Sequence, residues 1–559
     1  MAVVVLYAVM LGFVGAGAAF LSRVWKQGEQ NKKEKEFLQL LFFLFVVGII
    51  TRYINIDQLP GLQIDEAMSG YDTWALANYG TDSALNSWPI YLIGYGTGPS
   101  AFYTYLSLPF VKMLGLSLVS TRLAMLFLSS VTILVVLWML LKLNLSEKLT
   151  LSIFFMLIIS PWHMLISRFG LDANVAPHLL LIAVCLILVG MNERGKRQTI
   201  FYSSAICLIG LTSYAYLATW YFLPLFLLFL LGYFLKNRLL RSKQVICLMS
   251  VLLITIIPIV IFAYVQYVRH ETLTIFGITF AKMIGSQSEG QTILFQKDIW
   301  NAFLGNLQRI LGFLLSGRDG LIFSSIQGFG FMYNLAGLLL ASLGWSKMRQ
   351  EKSPLTQLTI GWFLCSLPLI LIIVPVVHHW NVMMFPIIIM MGYGLSSLWS
   401  TETKRVFQTA FAFFSVLFVF YVYTYNSVYK EEQQDSTYMA PITLEETLAV
   451  GNEKKLERIY IDRTSLKQLQ DLTFIFIRFF DPISPESYQA SRDAPYDKNS
   501  NMTYRYYGKY TFLEEDEKIE TDKASVGYLY HKGTDLSKKT FLKDFAVFEN
   551  ADFFLFYKE

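Results

Sequence analysis

Charge is scarce in this chain. Only 16% of its 559 residues are Asp, Glu, Lys or Arg, where a soluble domain carries about 25%. With 54% hydrophobic residues, that shortage excludes an ordinary water-soluble enzyme. The formal net charge of +5 is no nucleic-acid signal here, because what matters is where the basic residues lie. Cysteine is nearly missing as well. Cys185, Cys207, Cys247 and Cys365 all fall inside apolar blocks, so neither a disulfide framework nor a CxxC metal site is written. Each reads as a small buried hydrophobe. No internal repeat of roughly 20–50 residues is evident, and no low-complexity tract either. The first stretch, "MAVVVLYAVMLGFVGAGAAFLSRVWK", has no basic n-region and carries its charges after the apolar run. It predicts an uncleaved span with its start outside.

What is abundant is apolar sequence in blocks long enough to cross roughly 30 Å of hydrocarbon. Twelve spans are predicted, at about 3–22, 37–53, 118–141, 149–162, 175–191, 199–214, 217–235, 245–265, 325–345, 355–376, 382–399 and 406–425. The short basic links are "SRVWKQGEQNKKEK", "NERGKR", "KNRLLRSK", "KMRQEK" and "TETKR". With the first link cytoplasmic, counting spans puts the other four on the same side, as the positive-inside rule requires. Four features then lie outside: a large loop at 54–117, the turn "SRFGLDANVAP", a segment at 266–324, and everything after about 427. That tail turns abruptly to Lys, Asp, Glu and Tyr. Its runs "ERIYIDR", "LTFIFIRFF", "SVGYLYH" and "FFLFYKE" read as strands around a helical "SLKQLQDL", a small soluble α+β domain. The expected organisation is thus an extra span and basic link (1–36), a transmembrane catalytic domain (37–426) and an extracytoplasmic domain (427–559).

Inside the large loop, Asp65 and Glu66 stand side by side shortly after a span ends. Adjacent carboxylates repel and must be hydrated or paired. The aromatic and apolar residues that follow, broken by Gly and Pro, predict short helices along the membrane interface. Further charges gather at the same face from separate helices: Arg52, Arg122, Arg168, Asp172, and the pair His378–His379. Singly, each suits a snorkelling or interfacial anchor, and Asp172 suits a helix cap. Together they describe a pocket with carboxylates and cationic donors. Asp72 and Asp82 are read as solvated or capping residues.

The pattern from Arg52 through Asp65-Glu66 to Arg122, followed by "SPWHMLISRFGLDAN", "TSYAYLATWYFLPL" and "HHWNVMMFPIIIMMGYGL", resembles the GT-C glycosyltransferases. The kin in view are the protein O-mannosyltransferases and the aminoarabinose transferase of lipid A, over roughly residues 37–400. The resemblance implies a GT-C polytopic fold of about 12 transmembrane helices. It also implies a polyprenyl-phosphate-linked sugar as donor, undecaprenyl phosphate in a bacterium, and an acceptor hydroxyl on an extracytoplasmic polymer, lipid or protein. By that resemblance Asp65 matches the family's catalytic aspartate and acts as base in an inverting displacement. Glu66 positions the acceptor or an arginine, and Asp172 is the second acidic position. Arg52 and Arg122 match arginines kept near the first loop. Arg168, His378 and His379 are added here as phosphate contacts. No cofactor and no metal are expected, although Asp65, Glu66 and Asp172 leave a divalent cation open. Where the aminoarabinose transferase carries a Glu-Lys-Pro-Pro-like segment, this loop reads "YGTGPSAFY", which leaves the donor sugar and the phosphate clamp open. Two other classes stay in view: a flippase for lipid-linked glycans, and a glycan polymerase or ligase. A flippase would favour midplane charges and repeated halves.

Overall fold

The structure, a computed structural model, describes residues 1–28, 31–93, 99–283, 292–400, 403–433, 436, 438–441, 443–462, 473–491, 505–513, 525–537 and 539–558. It divides into two compact units that interleave along the chain. Met1–Leu59, Arg122–Tyr264 and Gln287–Lys430 form the first; Pro60–Thr121, Val265–Ser286 and Glu431–Glu559 form the second.

The first unit is helical, as backbone in hydrocarbon must be, since only a helix satisfies every N–H and C=O within its own segment. Among the described residues nine helices are long and apolar enough to cross a membrane, against twelve spans expected from the sequence. A tenth arises if the helices Glu147–Ile159 and Pro161–Arg168, bent by 51°, count as one broken span. The break has a local cause. Pro161 has no N–H to donate back, and Ser160 caps the new helix by accepting from His163 N at 3.3 Å. The two remaining expected spans are helices but short in apolar content: Gly195–Thr212 opens on Lys196 and Arg197, and Asn334–Gln350 closes on Lys347 and Arg349. Asn334–Gln350 meets the helix Asn381–Ser397 backbone to backbone. A Cβ on Gly344 would overlap the carbonyl of Met390, and one on Gly394 the carbonyl of Leu340. Small residues are what permit such approach between membrane helices.

The second unit combines the loop with the tail. The loop supplies the helices Ile64–Tyr79 and Phe102–Leu114. A hairpin of β1 (Leu273–Ile275) and β2 (Ile278–Phe280) turns through Phe276 and Gly277, both at positive φ (50° and 81°), the conformation that tight two-residue hairpin turns demand. The tail forms a six-stranded mixed sheet of β3 (Arg458–Asp462), β4 (Tyr506–Tyr507), β5 (Tyr510–Leu513), β6 (Val526–His531), β7 (Ala546–Glu549) and β8 (Phe553–Tyr557). Its order is β4-β5-β3-β6-β8-β7, with β3 parallel to both β5 and β6 and the other pairs antiparallel. One core joins Leu62, Ile64, Ala67 and Met68 of the loop to Leu444, Leu448, Ile459, Ile475, Phe479 and Leu555 of the tail. Burying such side chains stabilises by about 1.5–3 kcal/mol each.

"LTFIFIRFF" corrects a sequence expectation. It forms the helix Thr473–Phe480 rather than a strand. Phe474 through Phe479 are all buried, Arg478 included. A run buried on every side has no alternation to separate helix from strand. The expected helix "SLKQLQDL" lies outside the described residues, as do residues 95–98 of "YGTGPSAFY".

Candidate active site

Asp65 and Glu66 occupy the first turn of the helix Ile64–Tyr79, and its N-cap is Gln63, not the usual Ser or Thr. Gln63 Oε1 accepts from the backbone N–H of Asp65 (2.5 Å) and of Glu66 (3.2 Å). Glu66 Oε2 in turn accepts from Gln63 N at 3.2 Å, which closes a capping box. Gln63 Nε2 donates to Asp65 Oδ2 at 3.0 Å. The two carboxyls therefore differ in role. Glu66 is wholly buried and used by the cap, whereas Asp65 is part-buried. Burial raises the Asp65 pKa above the usual carboxylate range, the Gln63 hydrogen bond opposes this, and the Glu66 charge adds to it. A carboxylate shifted upward is a better base at neutral pH.

The cationic candidates lie in the first unit. Arg168 sits at the end of Pro161–Arg168, and all five of its N–H donors are engaged. Nε donates to Tyr425 Oη (2.8 Å), Nη1 to the carbonyls of Thr51 (3.0 Å) and Arg52 (2.9 Å), and Nη2 to those of Ile54 (2.8 Å) and Leu59 (2.6 Å). The carbonyls of Thr51, Arg52 and Ile54 lie where the helix Lys32–Tyr53 runs out, and such terminal carbonyls attract a cation by hydrogen bonding and by the helix dipole. Arg168 is a staple and has no donor left for a phosphate. Arg122 holds the same link, donating from Nη1 to Ile56 O at 3.2 Å with its guanidinium over the Phe169 ring.

Arg52 is also wholly buried. Its Nη1 donates back to Gly48 O (2.8 Å), and its Nη2 to His163 Nδ1 (2.8 Å) and Ile158 O (3.3 Å), while Nε has no partner among the described residues. Since a guanidinium only donates, His163 Nδ1 is the acceptor and its proton sits on Nε2. Among the described residues neither Arg52 nor Arg168 has a carboxylate partner. Two adjacent buried cations with no carboxylate beside them among the described residues create a positive potential that favours an anion.

Asp172 is part-buried and heads the turn Asp172–Asn174, where its Oδ1 accepts from Ala173 N at 2.6 Å. Asn381 Nδ2 ties that turn to the histidine segment, donating to Ala173 O and Asn174 Oδ1, both at 3.1 Å. His379 Nδ1 is 2.7 Å from Val374 O. A carbonyl can only accept, so the proton is on Nδ1, and Nε2 is a buried lone pair without a partner among the described residues. It can receive a hydrogen bond from a hydroxyl but cannot donate one to a phosphate. The His378 ring lies 4.4 Å from that of His379, and Tyr216 lies about 6 Å from both. Arg52, Arg122, Arg168, Asp172, His378 and His379 are thus gathered in the first unit, while Asp65 and Glu66 belong to the second.

Sequence reasoning passed over several residues. His163 and His178 lie 5.3 Å apart behind Arg52, and nothing in "SPWHML" distinguishes such a ring from an interfacial one. Asp72 and Asp82 are buried, not solvated. Asp72 Oδ1 accepts Ser83 N at 2.7 Å; Asp82 Oδ1 accepts the N–H groups of Ala84 (2.9 Å) and Asn86 (2.8 Å), an Asx turn. Burial, then the Asp72 charge, pushes Asp82 up to about 7. Burial likewise raises Asp72, opposed by the Arg478 guanidinium. A carboxyl raised above its unfolded 3.8 keeps a proton in the folded state that the unfolded chain has lost, so its stabilisation falls as pH rises. The stability difference between wild type and Asp82→Asn should therefore move against wild type from about pH 4 to about 7 and then level off. Thermal melts of both proteins across that range read it; a flat difference refutes it.

Among the described residues no group of three or more His, Cys, Asp and Glu converges to hold a metal. A cleft of about 410 Å³ lies between Gly195–Thr212, Thr219–Lys236 and Ser242–Tyr264, lined by residues such as Ile206, Pro224, Leu231, Phe234 and Leu252. It suits hydrocarbon and no polar chemistry.

No protein-family model and no curated protein matches this chain. Solved structures do. ArnT from Cupriavidus metallidurans in the apo state aligns over 94% of this chain and 98% of its own, at 9% identity and a TM-score of 0.53. The same protein bound to undecaprenyl phosphate aligns over 93% and 97%, at 10% identity and a TM-score of 0.49. The chain has a GT-C fold, similar to that of ArnT.

Proposed function

We propose that the protein is a GT-C glycosyltransferase that moves one sugar from a polyprenyl-phosphate carrier to an acceptor hydroxyl on the extracytoplasmic side of the membrane. Asp65 takes the proton as the hydroxyl oxygen attacks the anomeric carbon. The bond from that carbon to the phosphate oxygen breaks, and the electron pair leaves with polyprenyl phosphate. That leaving group is a weak base and needs cationic donors rather than an acid. The observation that carries this reading is the buried Arg52–Arg168 pair, which among the described residues has no carboxylate partner and leaves Arg52 Nε unpartnered. Arg52 and Arg122 hold the phosphate, Arg168 positions them, and Asp172 steadies the turn beside the histidines. His379 Nε2 fits a sugar hydroxyl better than the phosphate expected from the sequence.

The test incubates purified protein in lipid with radiolabelled undecaprenyl-phosphate sugars and envelope acceptor extract. Label should pass to the acceptor and free undecaprenyl phosphate should inhibit. Translocation of the donor without transfer would support the flippase instead. Within that assay, Arg52→Met should weaken inhibition by free carrier about tenfold, the effect of losing about 1.4 kcal/mol. His379→Ala should leave that inhibition unchanged while raising KM for the donor sugar. Equal loss of inhibition in both variants would return His379 to the phosphate.

A further inference from the structure

The tail and the Asp65 helix share one compact unit, and the contacts between them flank the Asp65–Glu66 turn. Residues 61–64 pair with the start of the tail: Gly61 N donates to Gln433 Oε1 (2.7 Å), Ala440 N to Leu62 O (2.8 Å), and Ile64 N to Tyr438 O (2.9 Å). Gln63 and Met439 form an antiparallel bridge between them. This pairing fixes Gln63 in extended backbone (φ −86°, ψ 150°), the conformation from which its amide reaches the N–H groups of Asp65 and Glu66. Farther along, the helix Thr473–Phe480 lies against the same helix. A Cβ on Gly70 would sit 2.5 Å from the buried Phe479 ring. Arg478 places its guanidinium 4.6 Å over the Tyr71 ring and 5.5 Å over Tyr488. Its charge also acts on Asp72, farther along the helix that begins with Asp65 and Glu66. Tyr71 Oη donates to Ile483 O at 2.8 Å, and Gln489 Nε2 to Ser83 O at 2.5 Å.

We propose that the C-terminal segment is a positioning clamp for the Asp65–Glu66 turn, in which Tyr438–Ala440 set the start of the helix and Phe479 with Arg478 set its flank. This rests on the transferase reading for its functional consequence, not for its geometry. Arg478 and Gly70 are positioning residues, remote from the reacting atoms.

The experiment uses the full chain in lipid nanodiscs and compares wild type with Gly70→Ala, Arg478→Gln and Arg478→Lys. Two quantities are read: amide exchange at Ile64–Ala67, whose N–H groups bond Tyr438 O, Gln63 Oε1 and Gln63 O, and transfer kinetics. Alanine favours a helix over glycine, so a merely helical role for residue 70 predicts slower exchange in Gly70→Ala. The clamp predicts the opposite: exchange faster by about tenfold through local opening. In both Gly70→Ala and Arg478→Gln, kcat should fall while KM for the donor holds, with Arg478→Lys restoring part of it. Unchanged exchange in folded Gly70→Ala and Arg478→Gln overturns the clamp. If one variant does not fold, the other decides. If wild type transfers no sugar, faster exchange still sustains the clamp, and only the transferase reading falls.

Discussion

Asp65→Asn should reduce sugar transfer by about 10²–10⁴-fold, the usual contribution of a positioned general base, while inhibition by free carrier stays as in wild type. The substitution is nearly isosteric. The introduced amide can still present an oxygen to Gln63 Nε2, so the helix cap, which depends on Gln63 and Glu66, survives. What is lost is proton uptake. The pH profile of the wild type carries a second signature. The base must be ionised, so activity falls as pH drops through its pKa, and burial sets that limb above the usual carboxylate range. Glu66→Gln makes the contrast. Its amide oxygen can still accept from Gln63 N, and because Glu66 takes no proton in the reaction, transfer should fall far less. If Asp65→Asn transfers as well as wild type, residue 65 is not the base; if Glu66→Gln is the dead variant, the roles are exchanged.

Much of this was legible in sequence because it rests on composition and local spacing. The apolar blocks announced a helical membrane protein, and adjacent Asp65-Glu66 beyond a span announced an unusual loop. The loop's dependence on the tail was not legible. Leu62 and Ala440 are separated by hundreds of residues, and the sequence drop in hydropathy near 427 reads as a domain boundary. Yet Leu62, Ile64 and Met68 complete a core whose other half is Leu448, Ile475 and Phe479. The same limit applies to Arg478. An arginine inside "FIFIRFF" looks like the solvent end of a strand, whereas the fold buries it against the Tyr71 and Tyr488 rings. Arg168 resembled a snorkelling anchor because sequence shows where a cation is, not which carbonyls surround it.

Arg52 and Arg168, adjacent and alike in burial, should answer substitution unequally. Arg168→Met keeps much of the apolar stem but removes five donors, leaving the carbonyls of Thr51, Arg52, Ile54 and Leu59 without their partner. Each buried acceptor so orphaned costs about 1–3 kcal/mol, so the protein should melt several degrees lower or fail to accumulate. Lysine cannot rescue it, because a point charge does not reproduce the planar fork. Arg52→Met removes a buried charge with no carboxylate partner among the described residues and one idle N–H, and with them the hydrogen bonds to Gly48 O, His163 Nδ1 and Ile158 O. The desolvation that burying a lone ion costs, several kcal/mol, is then relieved and offsets the about 1–3 kcal/mol for each acceptor left without its donor. Its melting temperature should therefore fall much less than that of Arg168→Met, while inhibition by free carrier weakens about tenfold. The divergence separates a structural cation from one kept for a ligand. A matched fall in stability for both variants would make Arg52 a second staple and remove the anion seat on which the transferase reading stands.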